Sequence, residues 1–190
     1  MIARCLSALA GLWLAGAALA QEGDAKAGQA LARQCQTCHG RDGIARIPIA
    51  PNIGGEPADY LAAQLIAFRA GTRVHEMMSV VAQGLSDQDI ADLAAWYAGW
   101  QPVATLSASA VDAPQVCMAC HGADGVSQAP DVPHLAGESV IYLETQLKAF
   151  RSGKRSHAIM SDIAAGLSDA DIRALAEWYA AIEFTVQQRD

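Results

Sequence analysis

The chain has 190 residues, with 13 Lys and Arg against 20 Asp and Glu, a formal net charge of −7 and 52% hydrophobic residues. An acidic chain lacks the positive charge that phosphate backbones attract, so nucleic acid is excluded as an expected partner. Beyond the N-terminus, charged residues interrupt the apolar stretches too often for a membrane span.

The first twenty residues predict an export signal. Arg4 provides a positive start, residues 6–19 form a short apolar core, and a small-x-small cleavage site ends at Ala20. The core is too short for a comfortable membrane span. We therefore expect cleavage after Ala20 and a soluble, exported protein over residues 21–190. Cleavage also removes Cys5, which leaves four cysteines.

The first predicted helix leads into a motif that indicates a cofactor. Asp24 can cap a helix that runs through Gln34, and the pentapeptide Cys-x-x-Cys-His follows with Cys35, Cys38 and His39. In c-type haem attachment, two thiols on one helical turn add to the vinyl groups of the porphyrin, and the adjacent histidine ligates the iron.

Two further helices are predicted beyond this motif. An irregular stretch rich in Gly and Pro covers residues 40–55. A helix is expected over about residues 58–70, where apolar residues recur at spacings of four and three, and Gly71 suits the chain reversal at its end. The last helix begins at Ser86, whose hydroxyl can cap it and whose following residues are acidic.

The second half of the chain repeats the first with an offset of 82 residues. Residues 35–98 and 117–180 are identical at 34 of 64 positions, without insertion or deletion. The second copy opens later, with Asp112 as the expected cap and Pro114 in the first turn, so its opening helix should be shorter. The repeated Cys-x-x-Cys-His motif consists of Cys117, Cys120 and His121.

The duplication defines the expected domains, over residues 21–100 and 113–190, with a linker over residues 101–112. Units of this size bury little surface, and a covalently held haem would complete each core. We therefore expect an all-α protein in which each helical domain wraps one haem, and electron transfer rather than catalysis.

The second axial ligand is expected to be methionine. Met78 and Met160 each lie 40 residues beyond the second cysteine of their motif. An axial Met gives a six-coordinate electron-transfer haem with a raised potential. Met77 is a weaker candidate because its counterpart is Ile159. His75 and His157, three residues earlier and also matched, are either alternative ligands or, as is more common, solvated histidines of a loop.

Two other interpretations of the cysteine pairs are possible. Two Cys-x-x-Cys pairs could form one four-thiolate zinc site, and an exported pair could be a redox disulfide. Neither interpretation explains the repeated His and Met.

Several other residues are given structural expectations. His134, whose counterpart is Asn52, should be structural or exposed, and the two Trp-Tyr pairs should pack in the core. The matched arginines could bind haem propionates or solvate helix ends, and a basic cluster near residue 150 could dock a partner. The matched arginines are Arg69, Arg73, Arg151 and Arg155. The basic cluster consists of Lys148, Arg151, Lys154 and Arg155.

The repeated motifs resemble those of a known family. Cys-Gln-Thr-Cys-His-Gly-Arg-Asp-Gly and Cys-Met-Ala-Cys-His-Gly-Ala-Asp-Gly are similar to class I cytochrome c domains, as is the repeated Tyr-Leu-x-x-Gln-Leu-x-Ala-Phe-Arg-x-Gly. Two such domains in tandem resemble the dihaem cytochrome c4 family. The resemblance implies periplasmic carriers, some of them associated with membranes, that pass electrons toward terminal oxidases, and two domains packed with pseudo-twofold symmetry.

The expected function is therefore that of a periplasmic one-electron carrier with two His/Met haems, monomeric, working between redox protein partners in a respiratory chain. Any membrane association would be peripheral and through those partners. A dihaem subunit of a dehydrogenase, for example beside a flavoprotein, is the alternative. A dihaem peroxidase is a third class, and it would need one open or displaceable axial position.

Overall fold

The computed structural model describes residues 22–189. The predicted export signal over residues 1–20 therefore lies outside the described residues. Within residues 22–189, no helix combines the length and the apolar character that a membrane crossing requires.

Both halves of the chain are mainly helical, as the sequence predicts, and equivalent helices recur at the expected offset. The first half contains α1 (Ala25–Leu31), α2 (Gln36–His39), α3 (Ala58–Ala70), α4 (Met78–Gln83) and α5 (Asp87–Ala98). The second half contains α6 (Gln115–His121), α7 (Val140–Arg151), α8 (Ala158–Ala165) and α9 (Asp169–Ala180), and short 3-10 turns cover 32–34 and 110–112.

Local sequence determines most of the helix ends. The Asp24 carboxylate accepts from the first amides of α1, and Ser86 forms a reciprocal capping box with Asp89 at the start of α5. Gly71 ends α3 in the left-handed conformation at φ +74°. The expected cap of α6 is wrong: the helix begins after Pro114, whose carbonyl accepts from the first amides, while Asp112 closes the preceding 3-10 turn.

Close packing of α1 against α5 distinguishes the first half from the second. A Cβ atom at Gly28 would lie 2.0 Å from the Asp92 carbonyl oxygen, so only glycine permits this helix contact. Among residues 22–189, the second half has no α-helix equivalent to α1, and the corresponding positions contain only the 3-10 turn over 110–112, which agrees with the predicted later start. In both halves the last helix contacts the helix that follows the Gly- and Pro-rich loop, α5 on α3 and α9 on α7.

A two-stranded antiparallel sheet, which the sequence did not predict, joins the two halves. Strand β1 (Trp100–Thr105) follows α5, and β2 (Glu183–Gln188) follows α9. Val103 pairs with Thr185, its own counterpart at the offset of 82, so the sheet is centred on the pseudo-twofold relation of the halves. The expected linker over residues 101–112 therefore begins with a paired strand.

Candidate haem sites and the domain interface

Each motif histidine is buried, and one backbone carbonyl fixes its ring. His39 Nδ1 lies 2.9 Å from the Pro51 oxygen, and His121 Nδ1 lies 2.8 Å from the Pro133 oxygen. Because a carbonyl can only accept, Nδ1 carries the proton and Nε2 keeps a free lone pair. Burial lowers the pKa of His39 and His121, which favours the neutral ring that a metal requires.

The four motif cysteines lie on or beside the short helices α2 and α6. These four cysteines form no disulfide with one another. Burial raises the pKa of Cys35 and of Cys117, whereas redox-active Cys-x-x-Cys pairs have a lowered thiol pKa. Among residues 22–189, no three His, Cys, Asp or Glu side chains converge on a point that could hold an ion, so the pairs do not form a four-thiolate site.

The two candidate methionines occupy equivalent positions at the start of α4 and within α8. Met78 and Met160 are half-buried, while their neighbours Met77 and Ile159 are 59% and 57% exposed. This difference in burial follows the distinction that the duplication predicts between Met78 and Met77.

His75 and His157 cap the helices that carry these methionines. His75 Nδ1 accepts from the amides of Met77 and Met78 at 3.3 and 3.4 Å. His157 Nδ1 accepts from Ile159 and Met160, both at 3.3 Å. An Nδ1 that accepts from amides has its lone pair engaged, so the structure gives these histidines a capping role and does not support their use as ligands through that atom.

Unpaired polar atoms beside the motifs test whether the residues fit haem. The indole Nε1 of Trp96 and Trp178 and the hydroxyls of Tyr97 and Tyr179 are buried without a hydrogen-bond partner in the structure. Tyr97 lies beside the Cys35 sulfur, a weak acceptor, without a bond of ordinary geometry. Buried donors need acceptors, and the carboxylates of a haem would supply them at equivalent places in both halves. The residues therefore fit the group.

The matched arginines are engaged by the protein. Arg69 binds the Leu85 carbonyl at 2.8 Å and pairs with Asp87, and Arg151 binds Leu167 and Asp169 in the same way. Arg73 and Arg155 cross the interface to glutamine and tyrosine side chains of the opposite half. Their partners across the interface are Gln146 and Tyr142 for Arg73, and Gln64 and Tyr60 for Arg155.

Three of the four side chains in the basic cluster near residue 150 are also engaged in contacts within the protein. Lys148 pairs with Glu144 at 2.7 Å, and Arg151 and Arg155 have the partners just given. Lys154 is exposed, so the cluster is only partly engaged by contacts within the protein.

His134 and Asn52 make equivalent contacts across the interface, and both are buried. Asn52 Oδ1 accepts from the Ala45 amide at 2.9 Å, and Nδ2 donates to the Gly137 carbonyl at 3.1 Å. His134 Nδ1 accepts from the Ser127 amide, and Nε2 donates to the Gly55 carbonyl, both at 3.0 Å. His134 was expected to be either structural or exposed, and these contacts show that it is structural.

Two buried glutamates were missed by the sequence analysis. Glu56 and Glu138 are 4% and 3% exposed, and each accepts a backbone N–H from the opposite half. Burial raises the pKa of both carboxyls. Their duplication within the repeated Gly-Glu pair was the available signal, but a loop Glu is exposed in most proteins.

Comparison with known proteins agrees with these sites. Residues 110–181 match the family model "Cytochrome c", and residues 23–96 match "Cytochrome C oxidase, cbb3-type, subunit III". Cytochrome c4 of Pseudomonas aeruginosa is 36% identical, with 91% of this chain and 95% of that protein covered. The thiosulfate dehydrogenase electron acceptor of Thiomonas intermedia is 33% identical, with 79% of each covered.

Solved structures show the same relationship. Reduced recombinant cytochrome c4 from Pseudomonas stutzeri matches with a TM-score of 0.74 and 32% identity, covering 85% of this chain and 100% of that one. A thiosulfate dehydrogenase from Marichromatium purpuratum matches with a TM-score of 0.74 and 31% identity, covering 84% of this chain and 40% of that one.

The fold and the paired sites define a c-type cytochrome with two domains, an electron-transfer protein rather than an enzyme. Its two cytochrome c domains hold two covalently bound haem c groups. The chain belongs to the cytochrome c4 family.

Proposed function

We propose that this protein is a periplasmic one-electron carrier between respiratory complexes, working toward a terminal oxidase or a similar acceptor. The observation that carries the proposal is the duplicated site, in which each half offers two cysteines, one buried histidine with a fixed ring and one half-buried methionine. When bound, a haem iron accepts and returns a single electron.

The proposed attachment residues are Cys35 and Cys38 for the first haem and Cys117 and Cys120 for the second. The proposed axial ligands are His39 with Met78 and His121 with Met160.

The chain supports this function by holding the ligands in place. Pro51 and Pro133 fix the ring tautomers of the two histidines, and the His75 and His157 caps fix the first turns of the helices that carry the methionines. Ligands that do not move when the charge on the iron changes keep reorganisation small, which favours fast outer-sphere transfer. The interface contacts and the sheet hold the two domains together.

Optical and magnetic spectroscopy of the purified holoprotein tests the ligand set, with haem counted against polypeptide by mass. The expected result is two haems per chain, both low-spin, with the Met-to-ferric-iron charge-transfer band. A measured mass that matches a polypeptide beginning at Gln21 would support export and cleavage. One high-spin haem, or ready binding of carbon monoxide, would contradict the assignment of Met78 or Met160.

A second candidate function is that of electron acceptor for a dehydrogenase. It is favoured by the relatives described as thiosulfate dehydrogenase electron acceptors and by the matching thiosulfate dehydrogenase structure. Stopped-flow measurements separate the two. Rapid oxidation of the reduced protein by oxidase-containing bacterial membranes, abolished by cyanide, supports the carrier. Rapid reduction by a thiosulfate dehydrogenase and thiosulfate, without oxidation by the membranes, supports the alternative.

A further inference from the structure

A single peptide group connects each motif histidine to a glutamate of the opposite domain. The Pro51 carbonyl accepts from His39 Nδ1 at 2.9 Å. The N–H of the same peptide group, which belongs to Asn52, donates to Glu138 Oε1 at 2.9 Å. The chain of contacts therefore runs from a ring in the first domain, through one peptide, to a carboxyl in the second.

The second domain contains the same arrangement in the opposite direction. The Pro133 carbonyl accepts from His121 Nδ1 at 2.8 Å, and the His134 N–H donates to Glu56 Oε2 at 3.0 Å. The contact uses the backbone N–H, so it survives although residue 52 is Asn and residue 134 is His. Each domain supplies the glutamate for the other.

Within the described part of the chain, the two glutamates lack the charged partners that buried carboxylates usually have. Both are almost fully buried, and neither takes part in any ion pair formed by residues 22–189. Glu138 Oε2 has no hydrogen-bond partner in the structure. The negative charge of Glu56 adds to burial in raising the pKa of Glu138. A buried carboxyl without a cation is costly to stability, and a hydrophobic side chain would pack the interface at lower cost.

We propose that the two glutamates are crossed tuning residues, with Glu138 setting the reduction potential of the first haem and Glu56 that of the second. The proposal rests on the proposed assignment of His39 and His121 as axial ligands. It makes each glutamate a positioning residue that acts through a peptide group and touches neither ligand.

The physical basis is polarisation along a chain of hydrogen bonds. A carboxyl oxygen that accepts the Asn52 N–H increases the electron density on the Pro51 carbonyl oxygen. That oxygen then draws the Nδ1 proton of His39 more strongly, and the ring becomes a better electron donor through Nε2. A more basic ligand stabilises the ferric state, so each glutamate lowers the potential of the haem in the other domain.

The test uses the holoprotein with Glu138→Gln, Glu138→Leu and Glu56→Gln. Gln cannot ionise but keeps an acceptor, and Leu removes the acceptor altogether. Glu183→Gln, at an exposed position on β2, is the matched control for loss of one carboxylate. Spectroelectrochemistry gives both potentials, and NMR of ¹⁵N-histidine protein follows each axial Nδ1–H signal through the redox titration, which assigns each potential to its domain.

For the Glu138 variants we expect the ferrous-to-ferric ratio of the first haem at fixed applied potential to rise about threefold to tenfold. This corresponds to an increase of ~30–60 mV in its reduction potential for a one-electron couple. The Leu change should equal or exceed the Gln change. The His39 ring N–H signal should move, while the second haem and the His121 signal stay. Glu56→Gln should show the mirrored pattern, and Glu183→Gln should move neither haem.

Two results would overturn the proposal. If both haems remain low-spin with the Met band but the Glu138 variants change neither potential, or change both equally, the glutamates are structural only and the carrier function stands. If the unsubstituted protein lacks two low-spin His/Met haems, the ligand assignment fails and the proposal fails with it.

Discussion

His134 makes the domain interface sensitive to pH, and the effect can be isolated with one substitution. Its Nδ1 accepts from the Ser127 amide and its Nε2–H donates to the Gly55 carbonyl. These two contacts require the neutral ring. A protonated ring would present a second N–H to the Ser127 amide, so one hydrogen bond would be lost and a buried donor left unsatisfied.

The sign of the pH effect follows from the direction of the pKa shift. Burial lowers the pKa of His134 below its ordinary value of 6.5, and the hydrogen bond to Gly55 offsets this only in part. Between the two pKa values the unfolded chain binds more protons than the folded one, so the free energy of unfolding decreases as pH falls below about 6.5. The stabilisation is present in full above that pH, and loss of the contact costs about 1–3 kcal/mol.

His134→Asn provides the matched comparison because the protein already uses Asn at the equivalent position 52. Asn can accept through Oδ1 and donate through Nδ2, as Asn52 does, and it does not titrate. Urea unfolding of both holoproteins, followed by circular dichroism between pH 5 and pH 8, measures the difference. We expect the unsubstituted protein to lose about 1–2 kcal/mol more than His134→Asn between pH 8 and pH 5, because one titrating group contributes at most ~1.4 kcal/mol per pH unit below its unfolded pKa.

Equal pH dependence in the two proteins would refute this reasoning. It would mean either that the His134 ring remains neutral throughout this pH range or that its protonation does not change the free energy of unfolding. The other histidines are common to both proteins, so their titration cancels in the difference.

Three further predictions concern single residues. Met78→Leu should leave one haem high-spin and able to bind carbon monoxide, whereas Met77→Leu should leave the optical spectrum unchanged; retention of two low-spin haems in Met78→Leu would contradict the assignment. Gly28→Ala should lower the free energy of unfolding of the first domain by ~1–3 kcal/mol or more, because the added Cβ meets the Asp92 carbonyl oxygen; an unchanged thermal midpoint would show that the helices separate at no cost. Ser86→Ala should cost about 1 kcal/mol through loss of the capping hydroxyl, measured by urea unfolding, and Ser86→Thr should recover most of it.

Sequence alone identified the features that depend on neighbouring residues. Helix caps at Asp24 and Ser86 agree with the structure because a cap is an interaction within one turn. The haem motif is also local, since its thiols must lie on one turn beside the histidine. The duplication added information that one copy lacks, because it predicts Met78 rather than Met77 as the axial ligand. Comparison with known proteins then confirmed two cytochrome c domains.

Tertiary structure alone decided what the interface residues do. Glu138 meets the Asn52 amide from 86 positions away, His134 reaches the Gly55 carbonyl across 79 positions, and Val103 pairs with Thr185. The sequence around a loop glutamate does not show whether the side chain is exposed to water or covered by another domain. Burial and partner are properties of how the two halves pack together. The sequence therefore determined which groups each domain contains, and the packing of one domain on the other determined which of them act together.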